Sequence, residues 1–371
     1  MNIIIYVGMD VHSTSYTLCC YTIENEKILY VQKMGPDYKL ILKYLEWVRT
    51  QFDGNVQFLC GYEAGCLGYT LYHQLTDHNV KCVILAPTTM AVTRKNKIKT
   101  DKRDAGNIAK CLAYHTYSPV HIPTAEDEQV KEYIRMRDDH KAALKKVKQQ
   151  IVAFCMRHGY QYKEGKSNWT QKHLAWLRSL NPEALLRETL EEYLITYVHL
   201  TSKIERLDQR IKELASGSAY HENVQKLCCF IGVETHTALS VLVEVGDFKR
   251  FSRAGKFASY LGLVPGEASS GEGQNRTGIT KAGNSHVRRL LTETANCYTR
   301  GMVGQKSKAL RLRQAGNPPE VIAYADKANE RLKRKFYKML FNNTKRNIAT
   351  TAVARELACF MWGMMTDNTA V

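Results

Sequence analysis

The chain has 371 residues, enough for two or three domains that each bury a core, and 44% of them are hydrophobic, as in a folded protein. Fifty-three Lys and Arg against thirty-six Asp and Glu give a net charge of +17, a balance that points to a polyanionic partner and says nothing of fold. No apolar run reaches the roughly 18 residues of a membrane span and no signal-peptide pattern is present, so the expected location is the cytoplasm.

Residues 3–11, 16–23 and 27–34 are β-rich runs separated by short polar turns, and they predict an antiparallel meander. The pattern then predicts a helix over 38–51, a strand over 56–63, a helix over 66–77, a strand over 81–86 and a helix from 101. Antiparallel strands followed by alternating helix and strand predict a mixed sheet with helices on its faces, an α/β domain.

In that layout Asp10 ends the first strand and Glu63 the fourth, while Asp101 and Asp104 stand three apart on one helix and share a face. Singly, each acid has an ordinary explanation as a turn residue, a helix cap or half of a surface ion pair with Lys97 or Arg103. Together they predict a site for hard divalent cations such as magnesium. Such ions take oxygen ligands and, in pairs, clamp the attacking and leaving oxygens of a phosphodiester. Cysteine and histidine give no zinc pattern. None of the eleven cysteines forms a Cys-x-x-Cys pair, and Cys19, Cys60, Cys82, Cys111 and Cys359 lie in apolar stretches that predict buried free thiols. The run Arg94, Lys95, Lys97, Lys99, Lys102 and Arg103 places six basic residues in ten beside the acids, where they are expected to hold phosphates without reading sequence.

Beyond residue 125 the pattern becomes one of long helices. Leu190, Tyr193, Tyr197, Leu200, Ile204, Leu207, Ile211 and Leu214 alternate steps of three and four, the seam of a coiled coil. Leu144, Val147, Ile151 and Phe154 form a second seam. The two can pair within one chain as an antiparallel hairpin or between chains, and both arrangements stay open. Between them, His158 to Leu177 breaks the periodicity with glycines and aromatics and is read as a packed connector. From Leu227 to Thr235 a turn at Gly232 joins two helices, either as a helix-hairpin-helix element whose amides meet phosphate or as a plain turn. The loop holding Ser269 and Ser270 is followed by Arg276, Lys281, Arg288 and Arg289. It is either a flexible turn or a hydroxyl nucleophile presented to a phosphate that those cations balance. Arg331, Lys333, Arg334, Lys335 and Lys338 make a late basic stretch, an RNA surface or a solvated helix.

Five segments in order resemble the DEDD transposases of insertion sequences, which pair an N-terminal RuvC-like (RNase H-like) domain with a C-terminal serine domain and are known as bridge-RNA-guided recombinases. They are Gly8-Met9-Asp10-Val11-His12, Tyr62-Glu63-Ala64, Thr100-Asp101-Lys102-Arg103-Asp104-Ala105, the His158 to Leu177 connector, and Gly262-Leu263-Val264-Pro265 through Ser270-Gly271 to Lys281-Ala282-Gly283-Asn284. Ala352 to Leu357 resembles the family as well.

The resemblance covers nearly the whole chain. It implies a RuvC-like domain over 1–124, a helical coiled-coil region over 125–222 and a serine transposase domain over 223–371. It further implies that Asp10, Glu63, Asp101 and Asp104 hold magnesium and that Ser270, with Ser269 as the fallback, is the nucleophile that links to DNA. The implied partners are target and donor DNA, a structured noncoding bridge RNA, and further copies of the chain in a dimer or tetramer. Two other functions fit the residues less fully. One is a metal-dependent nuclease of the Holliday-junction type in which Ser270 is structural, and the other is a noncatalytic nucleic-acid binder.

Overall fold

The structure, a computed structural model, describes residues 2–65, 67–90, 100–267 and 275–369. The chain divides into two compact units, residues 1–122 and 123–371.

In the first unit, β1 (Asn2–Val11), β2 (Tyr16–Tyr21), β3 (Ile28–Met34), β4 (Asn55–Glu63) and β5 (Lys81–Leu85) form one sheet in the order β3-β2-β1-β4-β5. The first three strands pair antiparallel, and β1, β4 and β5 pair parallel. Both faces of β1 are buried because its residues alternate between two apolar layers. Ile5, Val7 and Met9 join Leu18, Cys60 and Tyr62 in the layer under α1 (Tyr38–Arg49) and α2 (Thr70–Asp77). Tyr6 joins Cys19, Tyr21 and Leu85 in the layer under α3 (Asp101–Ala113). The mixed sheet with helices on its faces is therefore as the sequence predicts. The second helix starts at Thr70 and not at 66, because Gly68 at φ +62° holds a left-handed turn ahead of it.

The second unit is mainly helical. It comprises α4 (Ala125–Arg157), α5 (Gln171–Ser179), α6 (Ala184–Ala215), α7 (His221–Leu227), α8 (Thr235–Val245), α9 (Ala254–Tyr260), α10 (Ser285–Ala295), α11 (Lys308–Gln314), α12 (Pro319–Phe341) and α13 (Arg346–Met365). A short hairpin, β6 (Pro265–Glu267) and β7 (Arg276–Ile279), lies between α9 and α10. The long helices α4 and α6 pack against each other within the chain, and they run antiparallel. Val147, Ile151 and Phe154 near the end of α4 meet Leu190, Tyr197 and Leu200 near the start of α6, while Val130 and Ile134 share a core with Ile211 and Ala215. The connector between them is packed by rings: Trp169 stacks on Tyr197 at 5.2 Å, and Tyr162 meets the His173 ring edge-on at 4.8 Å.

One continuous core runs from Val130 and Ile211 through the almost wholly buried α8 to Leu291 and Leu357. A boundary between residues 222 and 223 falls inside that shared core, so the helical middle and the C-terminal part form one unit. At the Gly232 turn, the Ile231 amide donates to the Asn329 side chain at 3.0 Å and is thus taken inside the protein. Among the described residues no helix is long and apolar enough to cross a membrane. Eight of the described cysteines are free and buried, Cys359 is half-buried and Cys297 exposed, and burial pushes the thiols of Cys19 and Cys82 up to about 12.

Candidate functional site

Strand register brings the first two acids together. β1 and β4 run parallel with Met9 opposite Tyr62, so Asp10 and Glu63 occupy the next position of two neighbouring strands, which lie about 4.8 Å apart in any sheet. Met9 and Tyr62 point into the layer under α1 and α2, and the alternation therefore turns Asp10 and Glu63 to the α3 face.

The helix supplies the other two. Gly8 has no side chain to hold α3 away: a Cβ there would come 2.0 Å from the Ala105 carbonyl oxygen and 2.5 Å from the Ala109 amide. With the helix seated on Gly8, its first turn reaches Asp10, two residues further along β1. Thr100 caps α3 by accepting from the Arg103 amide at 3.4 Å, which places Asp101 and Asp104 in the first turn. That end of a helix favours negative charge.

The carboxyl oxygens of Asp10 and Asp101 and a ring nitrogen of His12 all lie within 4.8 Å of one another. His12 Nε2 is 3.3 Å from Asp10 Oδ2, and Lys33 donates to Asp101 Oδ2 at 2.8 Å. Lys33 reaches this site along a row across the sheet, since Asp10 pairs with Thr17 and Thr17 with Lys33. Burial pushes the Asp10 carboxyl above its ordinary value, the nearby His12 pulls it back, and the carboxylates of Asp104 and Asp101 push it up further. The Lys33 ammonium holds Asp101 below its ordinary value. The donor set is mainly carboxylate oxygen with one imidazole, its carboxylates repel one another, and it fits a divalent cation. When bound, such a cation supplies charge stabilisation to phosphate oxygens.

Asp10 and Asp101 thus meet at one end of the sheet, with Asp104 in the same helix turn as Asp101 and Glu63 at the position beside Asp10 on the neighbouring strand. Two further groups there, His12 and Lys33, were not expected from the sequence. His12 lies two residues past Asp10, a spacing at which alternation already favours the same face.

The basic residues fare differently. Lys102 and Arg103 are exposed on the first turn of α3. Arg94, Lys95, Lys97 and Lys99 lie outside the described residues, as do Ser269 and Ser270. The backbone of Arg276 belongs to β7, Lys281 is exposed, and Arg289 donates to Asp138 at 2.6 Å. Arg288, expected to face phosphate, instead donates to the carbonyl oxygens of Leu261 and Ala282 at 2.9 and 3.0 Å and ties two backbone segments together. The late basic stretch is largely engaged as well. Arg331 and Lys335 both pair with Glu356, Arg334 pairs with Glu330, and Lys333 is buried with its amine on the Met302 carbonyl.

An acidic cluster that fits a divalent cation, in a strongly basic chain, suits action on nucleic acid. Comparison with known proteins narrows this. A DEDD transposase model of the IS110 type matches residues 7–157, and a model described as Transposase IS116/IS110/IS902 family matches residues 224–311. The transposase for insertion sequence element IS1533 of Leptospira borgpetersenii is 32% identical over 336 residues, 90% of this chain and 95% of that protein. The putative transposase y4qE of Sinorhizobium fredii is 31% identical over 360 residues, 97% of this chain and 88% of that protein. The transposase for insertion sequence element IS1111A of Coxiella burnetii is 22% identical over 97% of this chain and 89% of that protein. The chain belongs to the IS116/IS110/IS902 family of insertion-sequence transposases and is a DNA transposase.

Proposed function

We propose that this transposase cuts and rejoins DNA through a phosphoserine link formed by Ser270, with magnesium held by Asp10, Glu63, Asp101 and Asp104, and that a structured noncoding RNA guides it to target and donor DNA. The observation that supports the metal half of this reading is the approach of the Asp10 and Asp101 carboxylates and the His12 ring to within 4.8 Å of one another, with Glu63 beside Asp10 in strand register and Asp104 in the same helix turn as Asp101. The sheet order β3-β2-β1-β4-β5, with α3 across β1, supports reading residues 1–124 as an RNase H-like domain of the RuvC type.

The serine chemistry balances without an energy source. The Ser270 oxygen attacks the phosphorus of a phosphodiester, one P–O bond to deoxyribose breaks as the Ser–O–P bond forms, and the released sugar oxygen leaves as a hydroxyl. Rejoining reverses the exchange with the hydroxyl of another strand. One phosphoester bond is made for each one lost, so the ends stay activated for religation. Asp10, Glu63, Asp101 and Asp104 would hold the cation, which would supply charge stabilisation to the phosphate oxygens. Ser269 is the fallback nucleophile.

A net charge of +17 supports a partner held by its backbone, and pairing by a guide would leave sequence reading to nucleic acid while Lys and Arg hold phosphates. The family's way of joining an acidic site to a serine from a different domain supports assembly as a dimer or tetramer.

The test is strand cleavage by the full-length protein with and without chelator, and with and without RNA transcribed from the DNA flanking its gene. Cleavage that requires both divalent cation and that RNA is expected. Cleavage that survives chelation removes the metal from the reaction. RNA-independent cleavage that persists in Ser270→Ala points to a plain metal nuclease.

A further inference from the structure

The second unit carries a concentration of charge that the acidic site does not use. One stripe of α4, the start of α8 and the first turns of α10 line an open groove of about 1000 Å³. Asp138 lies in it, and four groups converge on its carboxylate: Arg289 at 2.6 Å, Arg137 at 3.0 Å, His236 Nε2 at 3.1 Å and His286 Nε2 at 3.7 Å. Burial alone would raise the Asp138 carboxyl, yet His236, Arg289 and Arg137 hold it well below the usual carboxylate range. Asp138 is therefore an internal counter-ion for Arg137 and Arg289 and a neighbour of two imidazoles, groups that come from three separate helices.

These groups differ in what they have left to offer. Arg137 is nearly buried and also grips Asp208 through two bonds of 2.6 and 2.9 Å, so its role is structural. Arg289 is half exposed along the groove, and its second guanidinium nitrogen meets the exposed Glu293 at 3.3 Å, a surface pair that a phosphate can replace. The Nε2 atoms of His236 and His286 are shielded from water and make no well-directed hydrogen bond, an arrangement that costs stability unless something else completes it. Further along α4, Lys141, Lys145 and Lys148 follow Asp138 at steps of three and four and extend the stripe, the first two exposed.

A metal ion does not suit a carboxylate that already carries two guanidinium groups. A small apolar ligand does not suit an open, polar groove. A chain of phosphates does, because the donors are spread along α4 with Arg289 at one end.

We propose that this groove binds the sugar-phosphate backbone of duplex DNA, with Arg289 on one phosphate and Lys141 and Lys145 on its neighbours. The proposal rests on the family's action on DNA and is independent of Ser270. Asp138 acts through the others as a positioning residue.

The experiment is equilibrium binding of the full-length protein to a fluorescein-labelled DNA duplex of mixed sequence across a salt series. Lys141→Gln/Lys145→Gln/Arg289→Gln is expected to weaken binding about tenfold or more near physiological salt. It should also lower the salt slope by about 2 to 3, the worth of three phosphate contacts. Lys203→Gln/Arg206→Gln/Lys212→Gln on α6 removes the same charge from another face and is expected to leave binding within about twofold. Equal losses from both sets would mean diffuse attraction and overturn the site. A loss seen with a structured RNA but not with the duplex would overturn the DNA assignment. Where Arg289→Gln lowers the melting temperature by disturbing Asp138, the Lys141→Gln/Lys145→Gln pair at exposed positions carries the test, with an expected slope change of about 2. Binding needs no strand chemistry, so unchanged binding in a variant that still cuts DNA would refute the groove and leave the catalytic reading intact.

Discussion

Gly8 and Ala105 lie so close that a methyl group on Gly8 would come within 2.0 Å of the Ala105 carbonyl oxygen. This approach seats α3 on β1 and brings Asp101 and Asp104, in the turn before Ala105, level with Asp10. Gly8→Ala must therefore move a helix and not a flexible side chain. Overpacking of this kind costs about 1–3 kcal/mol, and thermal unfolding is expected to show a loss in that range. Strand cleavage should fall further than stability does, because the acids separate. An unchanged melting temperature would show that α3 is not held at this distance.

Asp10 is predicted to trade stability for function. Its folded-state carboxyl is raised by burial and by the Asp104 and Asp101 charges. A raised group favours the folded state below its unfolded value of 3.8, and that advantage is lost as the pH rises through the folded value. At neutral pH the ionised Asp10 is therefore a burden, and Asp10→Asn should raise the melting temperature while abolishing strand cleavage. Magnesium should raise the melting temperature of the natural protein and leave that of Asp10→Asn almost unmoved. Equal magnesium shifts in both proteins would place the cation elsewhere.

Lys33 competes with any cation for Asp101. Its ammonium sits 2.8 Å from Asp101 Oδ2 on an exposed edge, where an ion pair adds little to stability. Lys33→Gln should leave the melting temperature nearly unchanged and lower the magnesium concentration needed for half-maximal thermal shift. A higher requirement would mean that Lys33 helps to build the site.

The α4–α6 seam is closed within one chain, with Ile151 fully buried in it. Ile151→Ala should cost about 2–5 kcal/mol through lost burial and a cavity. That loss is expected to be the same at low and high protein concentration. A concentration-dependent loss would mean that the seam also holds copies together.

The approach of Asp10 to the first turn of α3 was legible in part, because strand alternation and an i, i+3 helical step are local rules. Lys33 was not. Counting by twos from Leu29, which faces the α1 layer, would turn Lys33 to that layer too. The structure instead has a register shift between Leu18 and Cys20 of β2, with Tyr30 opposite at φ +53°, and this bulge rotates Lys33 to the α3 face. Neighbouring arginines hid a similar distinction. Arg288 and Arg289 look alike in a basic motif, but one step of helix turns the first to the carbonyls of Leu261 and Ala282 and the second to Asp138. The Asp138 cluster had no sequence signature at all, since its members come from α4, α8 and α10 and meet only through tertiary packing.

The central claim is a covalent serine link made by a metal-dependent transposase, and trapping that link tests it most directly. Full-length protein would be mixed with its flanking RNA, target and donor DNA and magnesium, then denatured, digested and searched by mass spectrometry for a peptide joined to nucleotide. An adduct on Ser270, absent from Ser270→Ala and from Asp10→Ala, is the expected result. Cleaved DNA with no adduct on any residue, undiminished in Ser270→Ala, would contradict it.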